Sequence, residues 1–91
     1  MIFIHKENEI TLCNEKNEMV AYVQFPKVTD NIVNVTTTYV SESFQGQGIA
    51  SKLMHELVED IQKTKRQIIP TCTYTRNWFI KHPEYNELLV K

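Results

Sequence analysis

The sequence predicts an α+β fold. Three observations carry this: β-branched and alternating segments fill the first forty or so residues, an apolar repeat of about four residues begins after Gly48, and a short apolar strand follows that repeat. Residues 1–5 and 9–13 read as strands around the polar turn Lys6-Glu7-Asn8. Residues 18–25 form the next strand, after the turn Asn14-Glu15-Lys16-Asn17. Pro26 ends it, because proline has no N–H for a ladder. Residues 31–40, rich in valine, isoleucine and threonine, read as the longest strand. Short connections make this run an antiparallel meander.

From Gly48 to Lys65, Ile49, Leu53, Leu57 and Ile61 recur on one side, with Met54 and Val58 beside them. Lys52, His55, Glu56, Glu59, Asp60 and Lys63 take the other side, which defines an amphipathic helix. Lys63, Lys65 and Arg66 suit the negative pole at its end. Residues 67–72 then form a strand, and the β-α-β crossover makes it parallel to strand 31–40. Thr73 or Thr75 can cap a second helix through Trp78, Phe79 and Ile80. Pro83 breaks that helix and opens a last one, Glu84 to Val90.

The chain has 91 residues and reads as a single domain, residues 1–91. At this size it buries roughly 60–65% of its unfolded surface, enough for one modest core. Ten basic residues against 11 acidic ones give no electrostatic case for nucleic acid. No apolar run approaches the ~18 residues that span a membrane. Met1-Ile2-Phe3-Ile4-His5 is too short for a signal peptide and has no basic leader, so a cytoplasmic protein is expected. Cys13 and Cys72 make no disulfide framework and no cluster has metal spacing; two free thiols and no metal are expected.

Both glycines, Gly46 and Gly48, fall in Gln45-Gly46-Gln47-Gly48-Ile49-Ala50, between the long strand and the long helix. A helix N-terminus has unpaired N–H groups and partial positive charge, and glycine lets a phosphate approach the backbone closely. A plain tight turn is the simpler alternative. Ser51 stands where a dinucleotide fingerprint needs its third small residue, and no Gly-Lys-Ser/Thr follows, which removes the P-loop.

Gln45-x-x-Gly48-x-Ala50 resembles the Gln/Arg-x-x-Gly-x-Gly/Ala motif of the GNAT superfamily of N-acetyltransferases. The wider pattern narrows this. Thr38-Tyr39-Val40 precedes the loop; Ile69-Pro70-x-Cys72-x-Tyr74 and His82-Pro83-Glu84-Tyr85 follow the helix. Over residues 18–90 the chain is similar to the very small GNAT-like subgroup. The resemblance implies a minimal GNAT-like fold with a splayed parallel strand pair ending at Val40 and Cys72. It implies acetyl-CoA as co-substrate, its pyrophosphate held by Gln45, Gly46, Gln47, Gly48, Ile49, Ala50 and Ser51. It places the pantetheine arm along the backbone near Tyr39 and Val40. It further implies transfer of an acetyl group to an unidentified amine or protein lysine. A CoA- or acyl-CoA-binding module without turnover is the other class, kept open because the N-terminal helices and C-terminal strand pair of larger relatives have no counterpart. An interaction domain with no nucleotide ligand is a third.

Cys72 is the candidate catalytic residue. A thiol beside a helix N-terminus has a stabilised thiolate and could accept an acetyl group. Channel lining and inert packing are the competing readings. The small relatives often carry histidine where this chain has Thr37, so an imidazole base is absent there. Glu42 is the nearest carboxylate, and a solvated position is its simpler reading. His5 is assigned to an edge strand, His55 to a solvated helix face and His82 to a helix stop. Trp78, Phe79 and Tyr85 are expected in the core. Tyr74 could reach the acyl end of the channel, and Lys81 is expected in solvent.

Overall fold

The computed structural model describes residues 1–91. It has seven strands: β1 (Ile2–His5), β2 (Glu9–Cys13), β3 (Met19–Gln24), β4 (Lys27–Thr29), β5 (Ile32–Val35), β6 (Thr37–Val40) and β7 (Gln67–Pro70). Its helices are α1 (Ile49–Lys63) and α2 (Thr73–Lys81), and 3-10 turns cover Glu42–Phe44 and Pro83–Leu88. The α+β class holds. One antiparallel sheet has the order β1-β2-β3-β6; a second has the order β4-β5-β7, in which β5 and β7 are parallel.

Local chemistry sets the hairpins. Asn14 Oδ1 accepts the N–H groups of Lys16 and Glu18, both at 2.9 Å, and Asn17 takes φ 63° to close the turn. Pro26 ends β3 as expected. The chain resumes as β4 one residue later, which the sequence reading did not foresee, and the Pro26 carbonyl accepts the Asn34 N–H at 2.9 Å.

The segment 31–40 is not one strand. Ile32 to Val35 pairs with β7, in register from Ile32↔Gln67 to Val35↔Pro70. The pairing then changes sides. The Val35 carbonyl still accepts the Cys72 N–H at 2.9 Å, but the Thr36 N–H goes to Gln24 O at 3.1 Å and β6 runs antiparallel to β3. Only the first half of the segment is therefore parallel to β7. β-Propensity marks the threonines as extended and is silent about which sheet receives them. Beyond Val35 and Pro70 the two sheets part, and the strand pair splays.

Two further boundaries differ from expectation. β7 stops at Pro70, and Cys72 stands outside it. The last segment is a 3-10 turn and not a helix to Val90, because Leu89 turns extended and bridges Ile68, with the Val90 N–H on Ile68 O at 3.0 Å. That contact covers part of the outer edge of β7.

α1 buries Ile49, Leu53, Met54, Leu57, Val58 and Ile61. They join Ile10, Leu12, Val20, Ala21 and Val23 of the first sheet and Val33, Val35 and Ile68 of the second in one apolar cluster. Trp78, Phe79 and Leu88 close its end, and Tyr85 packs against it. His5 lies on the edge strand β1, its Nε2 3.0 Å from Glu56 Oε1. No helix is long and apolar enough to cross a membrane. Leu57 is fully buried in the apolar cluster beneath α1. Leu57→Ala is expected to cost about 2–5 kcal/mol, read from denaturant unfolding.

Candidate functional site

The site begins where β6 ends. A 3-10 turn at Glu42–Phe44 turns the chain back, and the Gln45 side chain donates from Nε2 to Val40 O at 3.1 Å. Gln45 thus braces the loop against β6. Gly46 takes φ 80° and Gly48 φ 73°, a region that costs other L-residues ~1–2 kcal/mol. The chain's only two glycines stand at the two loop positions that need this conformation. A Cβ built on either meets nothing within 4 Å, so the loop faces open space.

Backbone hydrogen bonding stops at the Gln45 N–H, which donates to Glu42 O, and resumes at the Lys52 N–H, which donates to Gly48 O at 3.2 Å. The N–H groups from Gly46 through Ser51 have no acceptor in the protein. Gly48 is the N-cap of α1, it offers no side-chain cap, and no acidic residue occupies the first turn. Successive free N–H groups at the positive end of a helix dipole form a concave anion receptor.

A depression of about 270 Å³ opens on this loop. It brings together Val40, Gln45, Gly46, Gly48, Ile49, Ala50 and Ser51, with Phe44 and Tyr74 added. Gln47, Tyr39 and Cys72 are outside its lining. The Tyr39 ring lies on the Tyr22 ring, centroids 5.2 Å apart. The Ser41 N–H bonds Val20 O, and by alternation of the antiparallel ladder Tyr39 also turns its backbone to β3. Thr38 and Val40 therefore point their N–H groups into the gap. Larger grooves lie elsewhere: about 360 Å³ beside Pro70, Phe79 and Ile80, about 510 Å³ beside Glu9, Gln24 and Thr36, and about 390 Å³ beside His5, Glu56 and Lys63. None of them contains the head of α1.

Cys72 sits across the gap as the N-cap of α2, with extended backbone (φ −64°, ψ 130°). Its Sγ is 3.8 Å from Thr38 Oγ1. Burial raises its pKa, but hydrogen bonds from the Thr75 N–H, the Thr38 and Thr75 hydroxyls and the Tyr74 N–H outweigh this, leaving the thiol below its ordinary range. The Tyr74 phenol moves up instead, through burial. Both cysteines are free.

A third group of side chains fixes α2 to the loop helix. Trp78 Nε1 donates to Ser51 Oγ at 3.1 Å. His82 stacks on Trp78 at 4.0 Å with its Nδ1 2.8 Å from Trp78 O, and Tyr85 stacks on Trp78 at 5.5 Å. His82 thus both ends α2 and braces Trp78. His55 is exposed as expected, yet its ring meets the Trp78 edge at 5.1 Å. Glu42 and Lys81 are exposed. No group of three or more His, Cys, Asp or Glu side chains is arranged to hold a metal ion. Phe44, Thr38 and Thr75 are the site residues that sequence reasoning did not select; threonine spacing on a strand does not announce a partner 34 residues away.

The sequence profile of the GCN5-related N-acetyl-transferase family matches residues 8–88, and the chain belongs to that family. A GCN5-like protein from Staphylococcus aureus, solved by NMR, superposes with TM-score 0.78 at 25% identity, over 98% of this chain and 87% of that one. Tetrahymena GCN5 superposes with TM-score 0.64 at 15% identity, over 84% of this chain and 47% of that one. A GNAT family acetyltransferase from Elizabethkingia anophelis, solved with acetyl-CoA bound, gives TM-score 0.64 at 15% identity, over 85% and 51%. The chain thus spans about half the length of these two larger proteins and shares their fold. No curated protein matches the sequence significantly.

The two thiols should separate chemically. Cys13 is 7% exposed, whereas Cys72 is half-buried at the gap. Iodoacetamide is expected to label Cys72 first, located by peptide mass. Because hydrogen bonds hold the folded thiol below its ordinary range, the pH dependence of Cys72 labelling is expected to lie at lower pH than that of the thiol in the unfolded chain.

Proposed function

We propose that the chain is an acetyl-CoA-dependent N-acetyltransferase acting on an amine or a protein lysine. The observation that carries this reading is the run of unpaired N–H groups from Gly46 to Ser51 at the head of α1. It is a receptor for a pyrophosphate, placed beside a gap that ends at a thiol. Gln45, Gly46, Gln47, Gly48, Ile49, Ala50 and Ser51 would hold the diphosphate, with Gln47 contributing its N–H. The pantetheine arm would run along the free edge of β6, bonding to Thr38 and Val40 as an added strand, with Tyr39 shaping that edge from β3's side.

In this reading Cys72 accepts the acetyl group. Its thiolate attacks the thioester carbonyl carbon, the bond to the CoA sulfur breaks, and CoA leaves as a thiolate that takes up a proton. The acceptor amine then attacks the acetyl-cysteine, gives up a proton, and the Cys72 thiolate returns. A lowered thiol pKa serves both steps, as nucleophile and as leaving group. A free thiol of this kind suits a reducing compartment, in keeping with the cytoplasm.

One observation favours the second reading, a CoA-binding module without turnover. The groups that bond Cys72 are hydroxyls and backbone N–H groups, with no carboxylate or imidazole among them to take the amine's proton.

Two experiments decide. CoA is expected to raise the melting temperature, because a ligand of the native state stabilises it, and Gly48→Val is expected to abolish the rise through strain and a side chain in the phosphate's path. An unchanged rise in that variant contradicts the loop assignment. Cys72→Ala is expected to keep the rise and lose acetyl transfer from labelled acetyl-CoA to lysine peptides. Undiminished transfer would remove the covalent route; binding without transfer in the wild type would establish the module.

A further inference from the structure

The hydrogen bond between Trp78 Nε1 and Ser51 Oγ, 3.1 Å long, has only one possible direction. An indole N–H donates and cannot accept, so the Ser51 oxygen accepts. The serine hydroxyl keeps its own proton, and that proton has no acceptor in the protein. The Ser51 N–H is unpaired as well. Ser51 therefore carries two free donors, and it lines the depression at the head of α1. Trp78 is 3% exposed and stands outside that lining.

The indole is firmly held. The His82 and Tyr85 rings lie nearly parallel to it, at 15° and 24°. The rings of His55 and Phe79 meet it edge-on, at 80° and 85°. These neighbours come from α1, from α2 and its end, and from the closing 3-10 turn. A serine side chain otherwise turns among three staggered rotamers. With its oxygen tied to a fixed indole, Ser51 Oγ stays in place and only its proton turns.

We propose that Trp78 is a positioning residue for the diphosphate of CoA: its buried indole N–H fixes the Ser51 oxygen so that the Ser51 hydroxyl and N–H donate together to the phosphate oxygens. This role rests on residues 45–51 holding the diphosphate. A hydroxyl that already accepts a bond is a stronger donor, because bonds in a chain polarise one another. A phosphate oxyanion makes the outer bond charge-assisted. The arrangement also gives α2 two tasks. Cys72 caps its start and Trp78 stands within two turns of it, so the helix that presents the thiol also holds a diphosphate donor in place.

The test is CoA affinity, by isothermal titration calorimetry, in the full chain and in Trp78→Phe, Ser51→Ala and the double variant. Phenylalanine keeps a ring in the stack and removes the N–H. Trp78→Phe is expected to weaken CoA binding about 3-fold and Ser51→Ala about 10-fold. The double variant is expected to match Ser51→Ala within about twofold, since Trp78 acts through Ser51. Unchanged affinity in Trp78→Phe, or a further loss of about threefold in the double variant, overturns the proposal. A second measurement needs no Trp78 variant. Trp78 is the chain's only tryptophan, so its indole N–H gives a single NMR resonance. Saturating CoA is expected to shift that resonance in the wild type and far less in Ser51→Ala. A resonance unmoved in the wild type, or moved equally in Ser51→Ala, overturns the proposal even where Trp78→Phe fails to fold. Gly48→Val separates the two readings. If it binds CoA as the wild type does, the loop assignment fails and the role of Trp78 with it. If it loses CoA but the Trp78 and Ser51 results fail, the loop assignment stands and only the role of Trp78 falls.

Discussion

The change of pairing partner at Val35 and Thr36 is the constraint on which the rest depends. Up to Val35 the chain is tied to β7; from Thr36 it is tied to β3. One stretch of backbone therefore belongs to two sheets. The sheets must diverge beyond it, leaving β6 with an unpaired edge and Cys72 facing that edge from the other side. α1 packs on the first sheet, against β2, β3 and β6, and its buried row from Ile49 to Ile61 shares one apolar cluster with Val33, Val35 and Ile68 of the second. Had β6 stayed with β7, the gap would be an ordinary ladder and the thiol would have no space before it.

The loop after β6 adds a row of unpaired N–H groups beside the same divergence. Its backbone bonds are sacrificed over six residues of loop and helix head, from Gly46 to Ser51, and two left-handed glycines hold the N–H groups in that state. Its supports are the Gln45 side chain on Val40 O and the Trp78 indole on Ser51 Oγ. The aromatic stack of Trp78, His82 and Tyr85 is thus tied to the first turn of α1, and not only to the core.

Legibility in the sequence followed how local each cause was. The α1 periodicity is a property of adjacent turns, and its buried residues were readable one by one. Pro26 and the Asn14 turn carry their own chemistry. Gly46 and Gly48 stood out because the chain has no other glycine, and positive φ at both is the physical reason. The split of segment 31–40 was not readable, since Thr36, Thr37 and Thr38 are equally good in either sheet and the partner is decided by distant residues. Thr38 beside Cys72 was hidden for the same reason, its partner lying 34 residues away. The resemblance points to the backbone near Tyr39 and Val40; the ladder's alternation turns the Tyr39 N–H to β3 and those of Thr38 and Val40 to the gap.

The seam between Ile68 and residues 89–90 reaches further than edge protection. β7 has β5 on one side and only this short selvage on the other. Ile68 is four residues from Cys72, on a strand of four residues. A strand so short has little resistance to peeling, and its slowest amide exchange is set by whichever border opens first. Residues 89–90 therefore bear on how firmly the strand leading to the thiol is anchored, although they lie on the far side of β7 from the gap.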